Sequence, residues 1–154
     1  MSNLTTTEMN AWRGLLDTHT ALTRALDAEL SVDGLSLTEY GVLVRVQEAG
    51  RAGIRMTELA SHLGLSGGGL TRLADRLERH GYIERRRCTA DGRGLEALLT
   101  EEGRKKLKRV HVRHLRAVRQ RFVDRLTDTD LASLAAIWPK LAALQTSENE
   151  GDAS

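Results

Sequence analysis

Arginine carries most of the chemistry that this sequence offers. Arg outnumbers Lys by 19 to 4. A guanidinium presents a rigid fork of donors that suits phosphate oxygens and the acceptor edge of guanine, although a GC-rich coding bias produces the same ratio without function. The arginines are also placed unevenly. Arg72 and Arg76 share one short segment, Arg85, Arg86 and Arg87 form a run, and Arg93 follows. The net charge is only +2, yet residues 1–84 carry −3, residues 85–125 carry +9 and residues 126–154 carry −4. Such a block suits a polyanion, and a solvated basic face is the plainer reading of part of it. Other chemistries find little support. There is no nucleophile motif. The single Cys88 excludes an intrachain disulfide and a Cys-rich zinc site. His111 and His114 share a helical face but lack a third ligand, so no metal is expected. Gly67-Gly68-Gly69 has no Lys-Ser/Thr behind it, which disfavours a nucleotide-binding loop.

These residues need elements to hold them. The 154 residues, 40% hydrophobic and 29% charged, fit one domain with a real core. The longest apolar stretch, Leu131 to Trp138, is too short to cross a bilayer, and the start Met1-Ser2-Asn3-Leu4-Thr5 has no secretory pattern. A cytoplasmic protein without membrane contact is therefore the expectation. Thr5-x-x-Glu8 has capping-box form and opens a helix with Trp12, Leu15, Leu16, His19, Leu22, Leu26 and Leu30 along one stripe. Ser36-x-x-Glu39 opens a second, which Gly50 ends. Thr57 is positioned to cap a short helix with Leu59, Ala60 and Leu63. Gly64 supplies a turn, and Ser66 caps a further helix with Leu70, Leu73, Ala74 and Leu77. Two short helices joined by a Gly-containing turn make a helix-turn-helix.

Residues 82–87 then read as a strand, Asp91-Gly92-Arg93-Gly94 as a turn, and 95–99 as the returning strand of a β-hairpin. Thr100 caps a long helix running to about Leu126. Thr127 to Asp130 opens a last helix, in which Pro139 removes one backbone bond and should kink the chain near Ala135. The fold expected is mainly α with a small β-hairpin, an α+β winged helix-turn-helix. The second helix of the motif fits the major groove, and the basic hairpin reaches phosphates or the minor groove beside it.

Met56-Thr57-Glu58-Leu59-Ala60, Leu70-Thr71-Arg72-Leu73-Ala74-Asp75-Arg76-Leu77-Glu78, Gly81-Tyr82-Ile83, Asp91-Gly92-Arg93 and Leu99-Thr100-Glu101-Glu102-Gly103 together resemble the successive motifs of the MarR family of regulators. Each motif is short, but their order and spacing are independent coincidences. The resemblance extends over roughly residues 8–145. It implies a homodimer of winged-helix protomers on a pseudo-palindrome in double-stranded DNA, and a repressor released by a ligand. The winged lobe would be residues 36–100, and the dimerisation lobe residues 6–33 and 101–146 of one 1–154 protomer. It makes Arg93 the minor-groove arginine at the wing tip and Asp91 the acid that orients it. It implies a small aromatic or phenolic acid effector near Trp12, His19, Tyr40, His111 and His114. The plainer reading makes these core or interface residues. The family's oxidant sensors use a cysteine in the first helix, which has none here, so Cys88 is expected to be an exposed thiol without a role.

The residues expected at DNA are Ser66, Gly67, Gly68, Gly69, Thr71, Arg72, Arg76, Arg86 and Arg93. Arg76 is expected to contact a base or phosphate, Arg72 to be held by Asp75 or a phosphate, and Arg86 to point away from Arg85 and Arg87; the plainer reading of this face is a surface helix with i,i+4 pairs such as Asp75 with Arg79. The glycine run departs from the family pattern. It either lets backbone N–H groups approach a phosphate at a helix N-terminus or marks a helix that starts one or two residues later. No cofactor and no enzymatic activity are expected. A non-specific architectural DNA-binding protein is the alternative.

Overall fold

The computed structural model describes residues 3–88 and 94–142. They fall into two compact units that divide between Ala117 and Val118. The first unit opens with α1, Thr6–Ser31. Its capping box forms as the spacing predicts: Thr5 Oγ1 accepts from the Glu8 N–H at 3.3 Å, and the Glu8 carboxylate accepts from the Thr5 N–H at 2.7 Å. Helix α2, Leu37–Ala49, starts in the same way on Ser36 and Glu39, at 3.1 and 2.8 Å. Asp27 of α1 accepts from the Leu37 N–H at 2.7 Å and so fixes where α2 begins.

After a 3₁₀ turn, Gly50–Ala52, comes a strand that sequence reading missed. Strand β1, Ile54–Arg55, pairs antiparallel with β3, Leu95–Leu99, which pairs in turn with β2, Ile83–Arg87. The sheet is therefore three-stranded, in the order β1-β3-β2, and not a bare hairpin. Two residues are too few to show alternation. The signal lies in Gly53 instead. Its φ is +77°, and a Cβ there would sit 3.0 Å from the Ala97 carbonyl oxygen, so only glycine brings the chain this close to β3.

Helix α3, Met56–His62, follows β1 without a gap, so its N-cap is Arg55 and makes no side-chain cap bond. The expectation that Thr57 caps it is corrected on this point, because the strand consumes the residues that a loop would have supplied. Gly64, at φ +61°, turns the chain into α4, Gly67–Arg79, and Ser66 caps it by accepting from the Gly69 N–H at 3.2 Å. Helix α5, Glu101–Arg121, starts on Thr100, whose hydroxyl accepts from Gly103 N–H at 3.0 Å and donates to the Gly81 carbonyl. It stops short of the expected Leu126.

One apolar cluster joins these elements. Leu30 comes from α1, Val42, Leu43 and Val46 from α2, Leu59 from α3, and Leu70, Ala74 and Leu77 from α4. Ile83 and Ala97 come from the sheet, and Leu107 and Val110 from α5. In the second unit, a 3₁₀ turn, Val123–Arg125, precedes α6, Asp128–Ala142. Thr127 and Asp130 cap α6 reciprocally, at 3.2 and 3.0 Å. No described helix is long and apolar enough to cross a membrane.

Cys88 is also corrected. It is buried, at 3% exposure, rather than exposed. Its N–H donates to the Gly94 carbonyl at 3.2 Å, and a hydrogen bond donated by its thiol helps hold the Glu96 carboxyl below its ordinary value.

Among the described glycines, the tightest approach is at Gly103. A Cβ there would lie 1.9 Å from the Tyr82 carbonyl oxygen, a backbone atom with no room to yield. Gly103→Ala should therefore lower the unfolding free energy by about 1–3 kcal/mol in a denaturant titration, although alanine is the better helix former.

Candidate nucleic-acid interface

Helix α4 places its residues by the 100° step of an α-helix. Leu70, Ala74 and Leu77 are buried, at 1%, 0% and 1% exposure. Gly68, Arg72, Asp75 and Arg79 then fall on the opposite side, with Thr71 and Arg76 flanking them, and all of these except glycine are exposed polar residues. Thr71 Oγ1 donates to the Gly67 carbonyl at 2.9 Å, leaving its lone pairs as acceptors. The helix begins at Gly67, so the glycine run lies within its first turn. None of the three glycines has a positive φ. A Cβ at Gly67 or Gly68 would meet nothing within 4 Å. Neither backbone geometry nor internal packing requires glycine at these two positions. First-turn amides have no intrahelical acceptor; Ser66 satisfies that of Gly69, and those of Gly67 and Gly68 have no acceptor among the described residues.

The structure redistributes the arginines. Arg76 does not stand free on α4. Its Nε and Nη2 donate to the two oxygens of Glu39, the N3 residue of α2. Glu39 is 1% exposed and Arg76 49%. Burial pushes the Glu39 carboxyl up. The hydrogen bonds from Arg76 and from the Ser36 N–H and hydroxyl, with the Arg76 charge, outweigh that and hold it below its ordinary value. Asp75 also differs from expectation. Its carboxylate pairs with Arg85 of β2 at 2.6 Å, and Arg79 reaches only the Asp75 carbonyl, at 3.3 Å. Arg85 also takes Glu78 of α4, at 2.5 Å. The pairing with β2 displaces the local pair that i,i+4 spacing suggests.

Arg86 points away from Arg85, as alternation requires. It is opposite Glu96 in the β2–β3 register, pairs with it at 3.4 Å, and donates to the Arg51 and Ala52 carbonyls. Its partners are thus in the sheet and the turn before β1, while the strand residue turned toward α4 is Arg85. Among the described residues, Arg72 and Arg87 have no carboxylate partner. Asp91 and Arg93 lie outside the described residues.

The expected effector residues separate into two sets. Tyr40, His111 and His114 come together: the Tyr40 hydroxyl and His111 Nδ1 are 2.6 Å apart, and the Tyr40 and His114 rings are 4.4 Å apart between centroids. Burial raises the Tyr40 pKa. Burial, then the neighbouring His111, lowers that of His114, whose Nδ1 is buried without a partner among the described residues. An open groove of about 500 Å³ between α2 and α5 is lined by Val44, Gln47, Leu107, Lys108, His111 and Val112. Trp12 and His19, by contrast, lie on the exposed face of α1, with Trp12 at 53% exposure. The described residues hold no group of three His, Cys, Asp or Glu that would bind a metal.

A sequence profile of the MarR family matches residues 33–94, the segment that holds β1, both helices of the motif and most of the wing. A MarR-family transcriptional regulator of Streptomyces coelicolor, Sco3205, was solved in complex with DNA. It is 38% identical over 92% of this chain and 89% of its own, with a TM-score of 0.85. The chain belongs to the MarR family. Its fold is the family's winged helix-turn-helix, mainly helical with a small antiparallel sheet. The transcriptional repressor MprA of Escherichia coli is 37% identical over 81 residues, which are 53% of this chain and 46% of that repressor. The match therefore spans less than half of MprA. CouR of Rhodococcus jostii, solved with p-coumaroyl-CoA bound, is 26% identical over 85% of this chain and 88% of its own, at a TM-score of 0.73. Sco3205 is a transcriptional regulator and MprA a transcriptional repressor, and neither is an enzyme.

Glu39 and Arg85 are the residues that sequence reading missed. Glu39 was visible only as a capping residue, and its partner is 37 positions away. The Glu39 pair gives a pH signature. Its depressed pKa stabilises the fold above the ordinary value of 4.5 and ceases to do so as pH falls through the lower folded value. Denaturant unfolding followed from pH 7 to pH 3 should show stability declining below about 4.5, and Glu39→Gln should flatten that decline. An unchanged slope in the variant would remove Glu39 from the acid response.

Proposed function

We propose that this MarR-family chain is a transcriptional repressor that binds a pseudo-palindromic operator in double-stranded DNA as a homodimer. Helix α4 enters the major groove. The observation that carries this reading is the first turn of α4. Three glycines there lower helix propensity by up to about 1 kcal/mol each, and at Gly67 and Gly68 nothing inside the chain repays it. An outside partner that needs close backbone approach accounts for them. DNA phosphate is such a partner, because it accepts from unpaired first-turn amides at the positive end of the helix dipole. Ser66, Gly67, Gly68, Gly69 and Thr71 form that edge, and Arg72 lies beside it without a carboxylate partner. On this reading Arg76 and Arg86 hold the lobe in shape. The roles of Asp91 and Arg93 at the wing tip rest on the family resemblance.

The homodimer is supported by the outward apolar residues of α1. Trp12, Leu15 and Leu16 are 53%, 38% and 45% exposed, an arrangement that marks an association surface. The effector is a small aromatic or phenolic acid. The paired Tyr40, His111 and His114 and the adjoining groove support that, and in a homodimer Trp12 and His19 would reach such a site only from an association face. No cofactor is required.

Selection from a random duplex pool tests the reading. It should return an inverted repeat with half-sites about one helical turn apart, bound with steep salt dependence. Equal affinity for unrelated duplexes would instead select the architectural alternative, which the scarcity of side chains in the α4 first turn favours. Gly67→Ala/Gly68→Ala should raise thermal stability, since the new methyl groups meet nothing, and weaken binding to the selected duplex about tenfold or more. Unchanged affinity would remove the glycines from the interface.

A further inference from the structure

We propose that Glu39 is a positioning residue for DNA recognition: through Arg76 it sets the orientation in which α4 meets the groove. This rests on the DNA-binding reading above and adds to it a residue outside the contact surface.

Glu39 is itself fixed from several sides. Its backbone N–H donates to Ser36 Oγ at 3.1 Å, and its carboxylate accepts from the Ser36 N–H at 2.8 Å. The turn that carries it is anchored to α1 by Asp27 and to α5 by the Tyr40–His111 bond at 2.6 Å. Its carboxylate is 1% exposed and meets Arg76 in a two-point, fork-to-fork pair. Such a pair constrains direction as well as distance. Arg76 lies on the flank of α4, so the pair limits rotation of the helix about its axis. Arg85 braces the other flank through Asp75 and Glu78. Rotation matters here because each residue along α4 is set 100° from the next. A modest turn would swing the long Arg72 side chain off the DNA without altering it.

The chemistry separates this from simpler explanations by sign. Glu39→Gln keeps a side chain that serves a capping box at N3 but removes one negative charge next to the surface that would face DNA. If Glu39 acted only through charge, the variant would bind every duplex more tightly. If it positions α4, the variant loses affinity for the specific sequence alone.

The experiment uses full-length protein and two duplexes of equal length: one recovered by selection from a random pool, one unrelated. Glu39→Gln should bind the selected duplex about tenfold or more weakly, and the unrelated duplex equally or more tightly, with a circular dichroism spectrum unchanged. The double variant Glu39→Gln/Arg76→Gln should bind no more weakly than the weaker single variant, because the two residues act as one unit. Arg76→Lys, which keeps the charge and loses the fork, supplies the arm that survives if Glu39→Gln misfolds. It should lose specific affinity while the slope of affinity against salt stays the same. Glu39→Gln binding the selected duplex as tightly as wild type would overturn the proposal. So would additive losses in the double variant. Failure of the wild-type chain to prefer any duplex would instead overturn the DNA-binding reading.

Discussion

A buried carboxylate stays ionised only where hydrogen-bond donors or a cation offset its lost hydration, because an unpaired buried charge is costly. Glu39 imposes that constraint on this chain. Its backbone position is set by the start of α2, and its side chain is 1% exposed to water. Arg76 has little choice but to answer it. The helix that presents Arg72 and the glycine turn is therefore tied to α2 by charge on one flank and to β2 by Arg85 on the other. Between the two ties lie Leu70, Ala74 and Leu77, packed into the core. Ion pairs and apolar packing give α4 one rotation about its axis.

That economy explains why the basic residues are divided in function. An arginine near DNA is worth most as a contact when it is unpaired in the free protein, since breaking an existing pair offsets the gain. Arg76, Arg85 and Arg86 are all committed to carboxylates or carbonyls within the lobe. The long helix adds more pairs of the same kind, such as Arg104 with Glu101 and Lys105 with Glu102, both at 3.0 Å. Much of the +9 charge of residues 85–125 is thus field and framework. The exposed edge of α4, with few side chains and two unpaired amides, suits approach by backbone as much as by side chain.

Local features of the fold were legible in the sequence because they depend on near neighbours. The capping boxes at Thr5 and Ser36, the turn at Gly64 and the cap at Ser66 each involve residues within three or four positions, and all appear where the spacing places them. The two-residue strand β1 was not legible, since its pairing with Ala97 and Glu96 lies more than 40 positions away. The same limit hid the site's supports. Asp75 looked like a partner for Arg79 because that pair is four apart, but a strand ten residues on competes for it and wins. Glu39 showed its capping role and nothing of its ion pair. Cys88, near the hairpin tip and beside Arg87, reads as exposed in the sequence, whereas it is buried. The motif order over the whole chain carried the family where single spacings did not.

If α4 is positioned as proposed, Arg76 holds the helix and does not read the DNA. A crystal structure of the protein bound to its selected duplex tests this most directly. Arg76 should remain forked onto Glu39, with Arg72 and the Gly67 and Gly68 amides within hydrogen-bond distance of the duplex. An Arg76 side chain released from Glu39 and bonded to a base would contradict it.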